Sequence, residues 1–390
     1  MDRILLLMGT MAQAANLLAM ISRETMTTLF PSRRKFLAQT AAGIALGLSD
    51  ASALAAEPPR LSRSAESTRI PYGAAVRAGA LASDPTYRAT VVRMCDMIVP
   101  EGEMKWSDIH PKRDEYRFDN ADALVDFARQ NHIGIRGHTL AWYGALPAWT
   151  SELASAAEAE RELVDHIETV VSRYRGAVPS WDVVNEPLID WPQDRFSIRP
   201  SIWMNRLGPE YLPIAFKATA STDPDAKLVL NEYDVEYRGA RFGARRRALI
   251  QLLRWLRDRD VPLHAVGLQA HLFAGRTIDR DGLQALLAEI VALKLEVLIT
   301  ELDVIDADLP GKIEDRDALV AAMAAEFLGA CCEVVRPKAI LTWGLSDRYT
   351  WVPTFFKRAD GMPNRPLPLD AEFKPKPLFD VIEEYRRKFT

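Results

Sequence analysis

The sequence predicts an α/β protein with one large domain, a (β/α)8 TIM barrel, on three observations. From residue 71 onward, short apolar stretches alternate with helical patterns, which is typical of βαβ units. Eight such units follow one another without a linker-like break. No Gly-x-Gly-x-x-Gly turn opens a dinucleotide-binding sheet, so a closed barrel is favoured. The predicted strands are 72–78, 95–101, 134–142, 180–186, 227–234, 264–271, 296–303 and 338–347.

The predicted strands and helices differ in how their apolar residues are spaced. The fourth strand is a near-continuous apolar run that stops at Pro187, as expected for a strand covered on both faces. Residues 120–132 and 245–260 instead carry apolar residues at three- and four-residue spacing, which indicates helices with one face on the core. The second of these helices has basic residues on its other face, which we expect to face solvent.

Composition excludes several classes of function. The 390-residue chain has a formal net charge of -4 and a pI near 6.0, so it offers no basic surface for nucleic acid or for a stable membrane association. A neutral polysaccharide is a compatible partner. Cys95 lies in a predicted strand, and Cys331 and Cys332 are adjacent in a predicted helix; neither these nor the six histidines have metal-ligand spacing. We expect structural thiols, no metal, no cofactor and a monomer.

The N-terminal region has the features of an export signal. Arg33 and Arg34 form a twin-arginine motif, followed by the uncharged apolar stretch 36–49 and by small residues at Ala53 and Ala55. The apolar stretch is too short to span a bilayer, which disfavours a transmembrane anchor. We expect cleavage after this region and a periplasmic or secreted protein. The predicted segments are 1–56, the signal region with an N-terminal extension, 57–70, a linker, and 71–390, the catalytic barrel.

Two predicted strands end in glutamates. Glu186 follows the fourth strand, and Glu301 lies near the end of the seventh, two residues before Asp303. A single such glutamate could simply cap the next helix, but the carboxyl ends of barrel strands meet at one face, where a second glutamate indicates a shared site. Two carboxyl groups that flank a bond are the minimum apparatus for cleaving a glycosidic linkage, one as general acid and one as nucleophile or base.

Polar and aromatic residues also collect at the other predicted strand ends. Flat rings suit the CH faces of sugars, whereas amides and charged groups suit their hydroxyls. These polar residues are Glu101, Lys105, His138, Asn185, Asn231, Glu232, Gln269, His271 and Asp347. Six of the nine tryptophans lie at or just beyond the predicted strand ends: Trp106, Trp142, Trp149, Trp181, Trp343 and Trp351. For Trp106, Trp149 and Trp181 core packing is an open alternative.

Several separated motifs resemble those of glycoside hydrolase family 10, the xylanases built on (β/α)8 barrels. Stretches 181–186 and 299–304 are similar to the acid/base and nucleophile signatures of that family. Further similar motifs occur at 100–106, 136–142, 267–272, 342–347 with Trp351, and 374–377. The resemblance covers residues 72 to 385, and it implies catalysis by Glu186 and Glu301.

The resemblance also implies roles for the neighbouring residues. Sugar binding is implied for Glu101, Lys105, His138, Trp142, Asn185, Gln269, His271, Trp343 and Trp351. His271 is further implied to contact the nucleophile Glu301, with Asp303 orienting the imidazole. The chemistry of these residues agrees, because Asn185 can donate to a sugar 2-hydroxyl and His271 favours ionised Glu301. The resulting anion disfavours ionisation of Glu186 and keeps it a proton donor.

Three positions depart from the pattern of the family. Gly102 and Ala145 stand where Asn and Gln are usual, and Tyr143 replaces a customary His; Glu232 and Asp234 vary the fifth-strand pattern more mildly. We therefore expect a retaining endo-β-1,4-xylanase whose second glycone subsite has lost two side-chain partners. Two alternatives stay open: a retaining β-glycanase or transglycosylase acting on another or decorated β-glycan, and a carbohydrate-binding barrel without catalysis.

Overall fold

The computed structural model describes residues 69–192, 197–309 and 312–388. The predicted signal region and nearly all of the predicted linker lie outside the described residues. No helix in the described part of the chain is long and apolar enough to cross a membrane.

The strands form one parallel sheet that closes into a barrel. Its pairing order is β3-β2-β1-β10-β9-β7-β6-β5-β4, and β8 pairs with β9. Only Arg136 separates β3 from β4, the two ends of this pairing order. The two strands therefore form one interrupted strand of the barrel wall, and the barrel has eight strand positions. The strands are β1 Tyr72–Val76, β2 Met97–Pro100, β3 Gly134–Ile135, β4 Gly137–Ala141, β5 Ser180–Asn185, β6 Lys227–Glu232, β7 Ala265–Leu268, β8 His271–Phe273, β9 Glu296–Ile305 and β10 Ile340–Thr342.

The predicted barrel is confirmed, whereas several strand boundaries were wrong. The third predicted strand divides at Arg136, and the eighth contains only the short strand β10. In the sixth, the chain leaves the barrel wall after Leu268, because Ala270 has a left-handed backbone with φ of 60°, and His271 begins a separate strand. Cys95 was predicted inside a strand; it caps a helix instead, because its amide bonds the last helical turn. Each departure depends on backbone conformation that apolar patterning does not report.

Helices alternate with the strands and cover the outside of the barrel. Several begin at a side-chain cap, as Asp84, Ser155, Ser201 and Asp279 each accept a hydrogen bond from the first helical turn. The helices are α1 Ala78–Ser83, α2 Pro85–Met94, α3 Trp106–Ile109, α4 Asp119–Gln130, α5 Ala156–Tyr174, α6 Ile202–Leu207, α7 Tyr211–Thr222, α8 Ala240–Arg257, α9 Arg280–Ala292, α10 Ile313–Cys332, α11 Val352–Phe355 and α12 Pro377–Arg387.

The basic face predicted for α8 is only partly exposed. Arg247, Arg254 and Arg257 are exposed as predicted, but Arg245 is 0% exposed and its Nη2 lies 2.5 Å from Glu232 Oε1. The reason is that the first turns of α8 pack beneath the loop that follows β6, where Arg245 also donates to the carbonyl of Tyr233. This arginine therefore fixes the loop that lies beside the site described below.

Two apolar layers hold the strands in place. A large layer fills the space between strands and helices, and a small one fills the barrel itself. Burial of β1 along its whole length shows why the strands do not alternate, since both of their faces are covered. The small layer consists of Ala75, Val99, Val229, Ala265, Leu298, Ala339, Leu341 and Trp343. Trp343 follows β10 and closes this layer at the carboxyl ends of the strands.

Candidate active site

Glu186 leaves the barrel wall at the end of β5. Its backbone has φ of 53°, in the left-handed region, which turns the chain immediately before Pro187. The carboxyl group accepts hydrogen bonds from Trp142 Nε1 at 3.1 Å, Asn185 Nδ2 at 3.1 Å and Gln269 Nε2 at 3.0 Å. Glu186 is therefore oriented by side chains at the ends of three different barrel strands.

Glu301 lies within β9 and is 4% exposed. Its Oε1 accepts from Asn231 Nδ2 at 2.6 Å, and its Oε2 lies 3.2 Å from His271 Nε2. The other imidazole nitrogen lies 2.9 Å from Asp303 Oδ1. A Cβ on Gly267 would meet Asn231 Oδ1 at 2.2 Å, so only glycine at that position leaves room for this amide. The predicted triad of Glu301, His271 and Asp303 is thus brought together.

The local charges favour an ionised Glu301. Burial alone would raise its pKa, but the His271 hydrogen bond and the nearby imidazoles outweigh burial, and the pKa of Glu301 lies below its ordinary value. Burial likewise opposes the charge on His271, yet Asp303 and Glu301 raise the pKa of its imidazole well above the usual range. The pair is therefore a carboxylate beside an imidazolium.

A chain of amides joins the two glutamates. Gln269 Nε2 donates to Glu186 and also to Asn185 Oδ1, at 3.2 Å. Asn231 Nδ2 donates to the same Asn185 oxygen at 2.9 Å and to Glu301. The sequence placed Asn231 at a strand end without giving it a role. The sequence signal for such a role was the position of Asn231, before Glu232 near the end of the fifth predicted strand.

His138 is held by a buried ion pair that sequence reasoning missed. Its Nδ1 lies 3.0 Å from Asp182 Oδ2, and Arg136 Nη2 donates to Asp182 Oδ1 at 2.6 Å. Burial raises the pKa of Asp182, but Arg136 and His138 outweigh burial and leave the pKa low. The sequence did contain a signal for this ion pair, because Asp182 is a charged residue inside an otherwise apolar strand. A carboxylate is buried in such a strand only with a partner. His138 keeps its second nitrogen for the cleft.

The predicted sugar-binding aromatics surround these groups. Trp343 packs edge-on against His138 and His271, with ring centres 5.0 and 6.3 Å apart. Trp351 Nε1 donates to Asp303 Oδ2 at 2.7 Å. Lys105 Nζ lies 5.0 Å from the centre of the Trp142 ring and 5.6 Å from that of Trp343. Flat rings and an ammonium group therefore share the space beside the carboxyl groups.

Glu101 is engaged by a residue that the sequence did not single out. Arg77 Nε donates to Glu101 Oε2 at 2.8 Å and Arg77 Nη2 to Glu101 Oε1 at 2.5 Å. This bidentate pair fixes the plane of the carboxylate. A sugar hydroxyl at Glu101 would share the carboxylate with the guanidinium of Arg77.

Three of the six predicted strand-end tryptophans belong to the packing. Trp181 was wrongly placed at a strand end; it is the second residue of β5 and is fully buried, so close to Gly137 that a Cβ there would meet its ring at 2.0 Å. Trp106 is also buried, and its Nε1 donates to the carbonyl of Leu140 at 2.6 Å. Trp149 is half-buried and packs beside Trp106. The alternative of core packing holds for these residues.

The barrel and its paired carboxyl groups define the class of protein. The eight-stranded barrel brings Glu186 and Glu301 to one of its ends. Amide side chains connect the two carboxyl groups there, and tryptophan rings line the site, which is the architecture of a glycoside hydrolase. Among the described residues, no three His, Cys, Asp or Glu side chains are grouped so as to hold a metal ion.

Comparison with known proteins identifies the family. The model described as Glycosyl hydrolase family 10 matches residues 60–385, and the chain belongs to this family of glycoside hydrolases. The resemblance found in the sequence is thereby confirmed. The matched region begins within the predicted linker, ten residues before its end.

Similar proteins share most of the chain. Endo-1,4-beta-xylanase A of Phanerodontia chrysosporium is 35% identical over 320 residues, which is 80% of this chain and 74% of that protein. Endo-1,4-beta-xylanase B of Thermotoga neapolitana is 34% identical over 299 residues, 76% of this chain and 82% of that protein. The crystal structure of xylanase 10B from Thermotoga petrophila RKU-1 in complex with xylobiose superposes with a TM-score of 0.76 at 33% identity, covering 85% of this chain and 99% of that one.

Proposed function

We propose that this glycoside hydrolase is a retaining endo-1,4-β-xylanase, which hydrolyses internal β-1,4-xylosidic bonds of xylan by double displacement. The observation that carries the proposal is the contrast between the two glutamates. Glu301 is an ionised carboxylate beside an imidazolium, and Glu186 faces the same site without a cation among its hydrogen-bond donors. The xylanases named above, at 33–35% identity, support xylan as the substrate.

The two glutamates divide the reaction between them. Glu301 attacks the anomeric carbon while Glu186 protonates the departing glycosidic oxygen, giving a glycosyl-enzyme and a free sugar chain. Glu186, now a carboxylate, then takes a proton from the water that hydrolyses the intermediate. Asn185 gives one amide hydrogen to Glu186 and keeps a second for the sugar 2-hydroxyl, where a hydrogen bond strengthens as the oxocarbenium ion develops.

The stereochemistry of the first product tests this assignment. A nucleophilic Glu301 requires two inversions at the anomeric carbon, so proton NMR of xylan oligosaccharide cleavage should show the β anomer before mutarotation. The carboxyl groups of a retaining enzyme stand roughly 5 to 5.5 Å apart, against about 6.5 Å or more in inverting ones. Early α product would reassign Glu301 as a general base, and a barrel that binds xylan without releasing reducing sugar would be non-catalytic.

The support of Glu301 by His271 predicts a pH effect. Replacing His271 by Asn removes both a charge and a hydrogen bond that favour ionised Glu301, so the pKa of Glu301 should rise. Because Glu301 must be ionised to attack, the acidic limb of the kcat/KM profile should move up by about one to two pH units. An aryl xyloside with a good leaving group is the substrate of choice, since its cleavage needs little help from Glu186.

A variant at Asp303 provides the matched comparison for this effect. Asp303→Asn keeps the imidazole but weakens the charge on it, so its acidic limb should move in the same direction by less. An acidic limb that stays in place in both variants would show that His271 does not control the ionisation of Glu301.

The departures at Gly102 and Ala145 favour a second candidate, a β-glycanase or transglycosylase for another or decorated β-glycan. A Cβ built on Gly102 has no heavy atom within 4 Å, so a side chain can begin there without displacing a neighbour. Ala145 already has φ of 47°, and its carbonyl is engaged by the Ser107 amide at 2.8 Å, so a glutamine changes the side chain alone. The two positions can therefore be tested without rebuilding the backbone.

The double variant Gly102→Asn with Ala145→Gln should strengthen binding of the second glycone sugar. Two hydrogen bonds of about 0.5 to 1.5 kcal/mol each correspond to a gain of about ten- to a hundredfold in kcat/KM on long unbranched xylo-oligosaccharides. Activity on an aryl xyloside, which does not reach this subsite, should stay constant. A loss on branched xylan would instead favour a decorated substrate, and unchanged values on all three substrates would mean that the departures are neutral.

We also propose that the chain is exported by the twin-arginine route and acts as a monomer outside the cytoplasm, with 57–70 as a linker. The support is the Arg33 and Arg34 motif with the apolar stretch behind it. Export that persists after both arginines are replaced by lysine would exclude this route, and light scattering of the purified protein would detect a dimer.

A further inference from the structure

Side chains that point into the barrel can be followed to its carboxyl end by their spacing. Ala75 of β1 and Val99 of β2 belong to the apolar layer inside the barrel, whereas Val76 packs in the outer layer. Because neighbouring residues of a strand face opposite sides, the next inward positions are Arg77 and Glu101. Arg77 has an extended backbone, with φ of -111° and ψ of 133°, so the alternation continues to it. Both side chains therefore face the barrel axis at the end that holds the active site.

Two residues of the active site follow the same spacing. Asn231 comes two positions after the inward Val229, and Gln269 comes four positions after the inward Ala265. Each donates to one of the two catalytic glutamates, Asn231 Nδ2 at 2.6 Å and Gln269 Nε2 at 3.0 Å. Inward positions just beyond the strands therefore lie at the cleft.

Arg77 and Glu101 form a pair on a fixed backbone. Arg77 Nε donates to Glu101 Oε2 at 2.8 Å, and Arg77 Nη2 donates to Glu101 Oε1 at 2.5 Å. The carboxyl group of Glu103 accepts from the amide of Ala78 at 2.6 Å and from the amide of Gly102 at 3.1 Å, which ties together the residues that follow the pair. The guanidinium and the carboxylate are thus held in one geometry before a ligand binds.

The pair keeps a donor for a ligand. The side chain of Arg77 is 47% exposed and that of Glu101 is 13% exposed. Nη1 of Arg77 has no hydrogen-bond acceptor among the residues that the structure describes, since only Nε and Nη2 are turned to Glu101. A Cβ built on Gly102 meets no heavy atom within 4 Å, so space is open beside the pair. A guanidinium donor and a carboxylate acceptor therefore stand side by side at the rim of the cleft.

Neighbouring hydroxyl groups of a sugar suit this arrangement. One hydroxyl can donate to Glu101 while the next accepts from Arg77. An undecorated xylose inside a β-1,4 chain has two free hydroxyls, on C2 and C3, and these are neighbours. An acidic sugar is disfavoured as the ligand, because the charge of Arg77 is already balanced by Glu101.

We propose that Arg77 binds the second glycone sugar directly, as the donor beside the acceptor Glu101. This inference rests on the proposed function. The family resemblance implies sugar binding for Glu101 and assigns no role to Arg77. The position of the sugar follows from Gly102, which adjoins Glu101 at the second glycone subsite. The contact is separate from the side-chain partners missing at Gly102 and Ala145.

Aryl glycosides with one and with two xylose units test this contact. An aryl xyloside fills only the first glycone position, whereas an aryl xylobioside also fills the second, so the ratio of their kcat/KM values reports the second sugar. Arg77→Met removes the donor, and the xylobioside-to-xyloside ratio should fall about ten- to a hundredfold, as expected for a hydrogen bond from a charged group. Arg77→Lys should not restore the ratio, because an ammonium group lacks the planar fork that holds Glu101 and reaches the sugar together.

A double-variant cycle separates direct binding from orientation of Glu101. If Arg77 only orients Glu101, then Arg77→Met has no further effect once Glu101→Ala has removed that carboxylate. Direct binding predicts that the double variant lowers the ratio below that of Glu101→Ala alone. Arg173→Met is the matched control, because Arg173 is 43% exposed and forms a similar two-point pair with Asp122 between α5 and α4. Its ratio should equal that of the parent enzyme.

The other outcomes each contradict a definite statement. An unchanged ratio in Arg77→Met, or a double variant equal to Glu101→Ala, would overturn direct binding by Arg77. Full recovery in Arg77→Lys would show that charge alone is recognised, and a loss confined to xylan substituted with glucuronic acid would show that the ligand is acidic. Failure of the parent enzyme to cleave both aryl glycosides and xylan would overturn the proposed function itself, independently of Arg77.

Discussion

Replacing Glu301 by alanine should abolish turnover of every glycoside, including aryl xylosides with good leaving groups. The reason is that both steps of a double displacement pass through a bond to this residue, so a better leaving group gives no relief. We expect a loss on the order of 10⁴-fold or more in kcat, without a burst of aryl alcohol in stopped-flow measurements. Added azide can occupy the space of the missing carboxylate, and any product should then be the α-xylosyl azide.

A second buried glutamate provides the control for this variant. Glu236 is 1% exposed, has an oxygen without a hydrogen-bond partner and lies outside the site, so Glu236→Ala matches Glu301→Ala in burial and in volume removed. Burial raises the pKa of Glu236 to about 7, and its removal should leave activity intact. Residual turnover in Glu301→Ala at the level of Glu236→Ala would mean that Glu301 is not the nucleophile.

The carboxyl groups could be predicted from the sequence because they end apolar strands. In a parallel barrel the carboxyl ends of all strands lie at the same end. A strand such as 296–303 therefore brings Glu301 to the same end of the barrel as Glu186. His271 and Asp303 followed from the same reasoning with the help of the family resemblance. Their roles in catalysis remain predictions, but their proximity is given by the structure.

The partners of these groups could not be predicted, because they come from distant parts of the chain. Asp182 is 44 residues from His138, and Asn231 is 70 residues from Glu301. Spacing along one strand does not report which side chains meet across the barrel. Arg245 shows the same limit, since helical periodicity placed it on an outer face although the loop above it buries it completely.

Left-handed residues mark the ends of two strands, one of which the sequence prediction extended too far. Glu186 and Ala270 both have positive φ, and at each the chain leaves its strand to present the next side chains to the cleft. Neither residue is glycine, so residue type did not indicate the left-handed backbone, although Pro187 marked the end of the fourth strand. Such backbone is costly and persists only where surrounding contacts determine it. At Glu186, the contacts are the same donors that orient its carboxyl group.

Replacing Glu186 by alanine should have an effect that depends on the leaving group, unlike Glu301→Ala. Departure of a sugar from xylan needs a proton, so kcat/KM on xylan should fall by about 10²- to 10⁴-fold. An aryl xyloside with a good leaving group departs unaided, and the glycosyl-enzyme should still form with a burst of aryl alcohol. Its hydrolysis should then be slow, because no base remains to activate water.

Azide distinguishes this role from every alternative for Glu186. An anion needs no general base, so it should enter the space left by the Glu186 carboxyl group, restore turnover of the aryl xyloside and give the β-xylosyl azide, the opposite anomer from Glu301→Ala. Trp142, Asn185 and Gln269 would line that space as hydrogen-bond donors, which suits an anion. Equal losses on xylan and aryl xyloside, without rescue by azide, would show that Glu186 is not the proton donor and that its three donors hold a structural carboxylate.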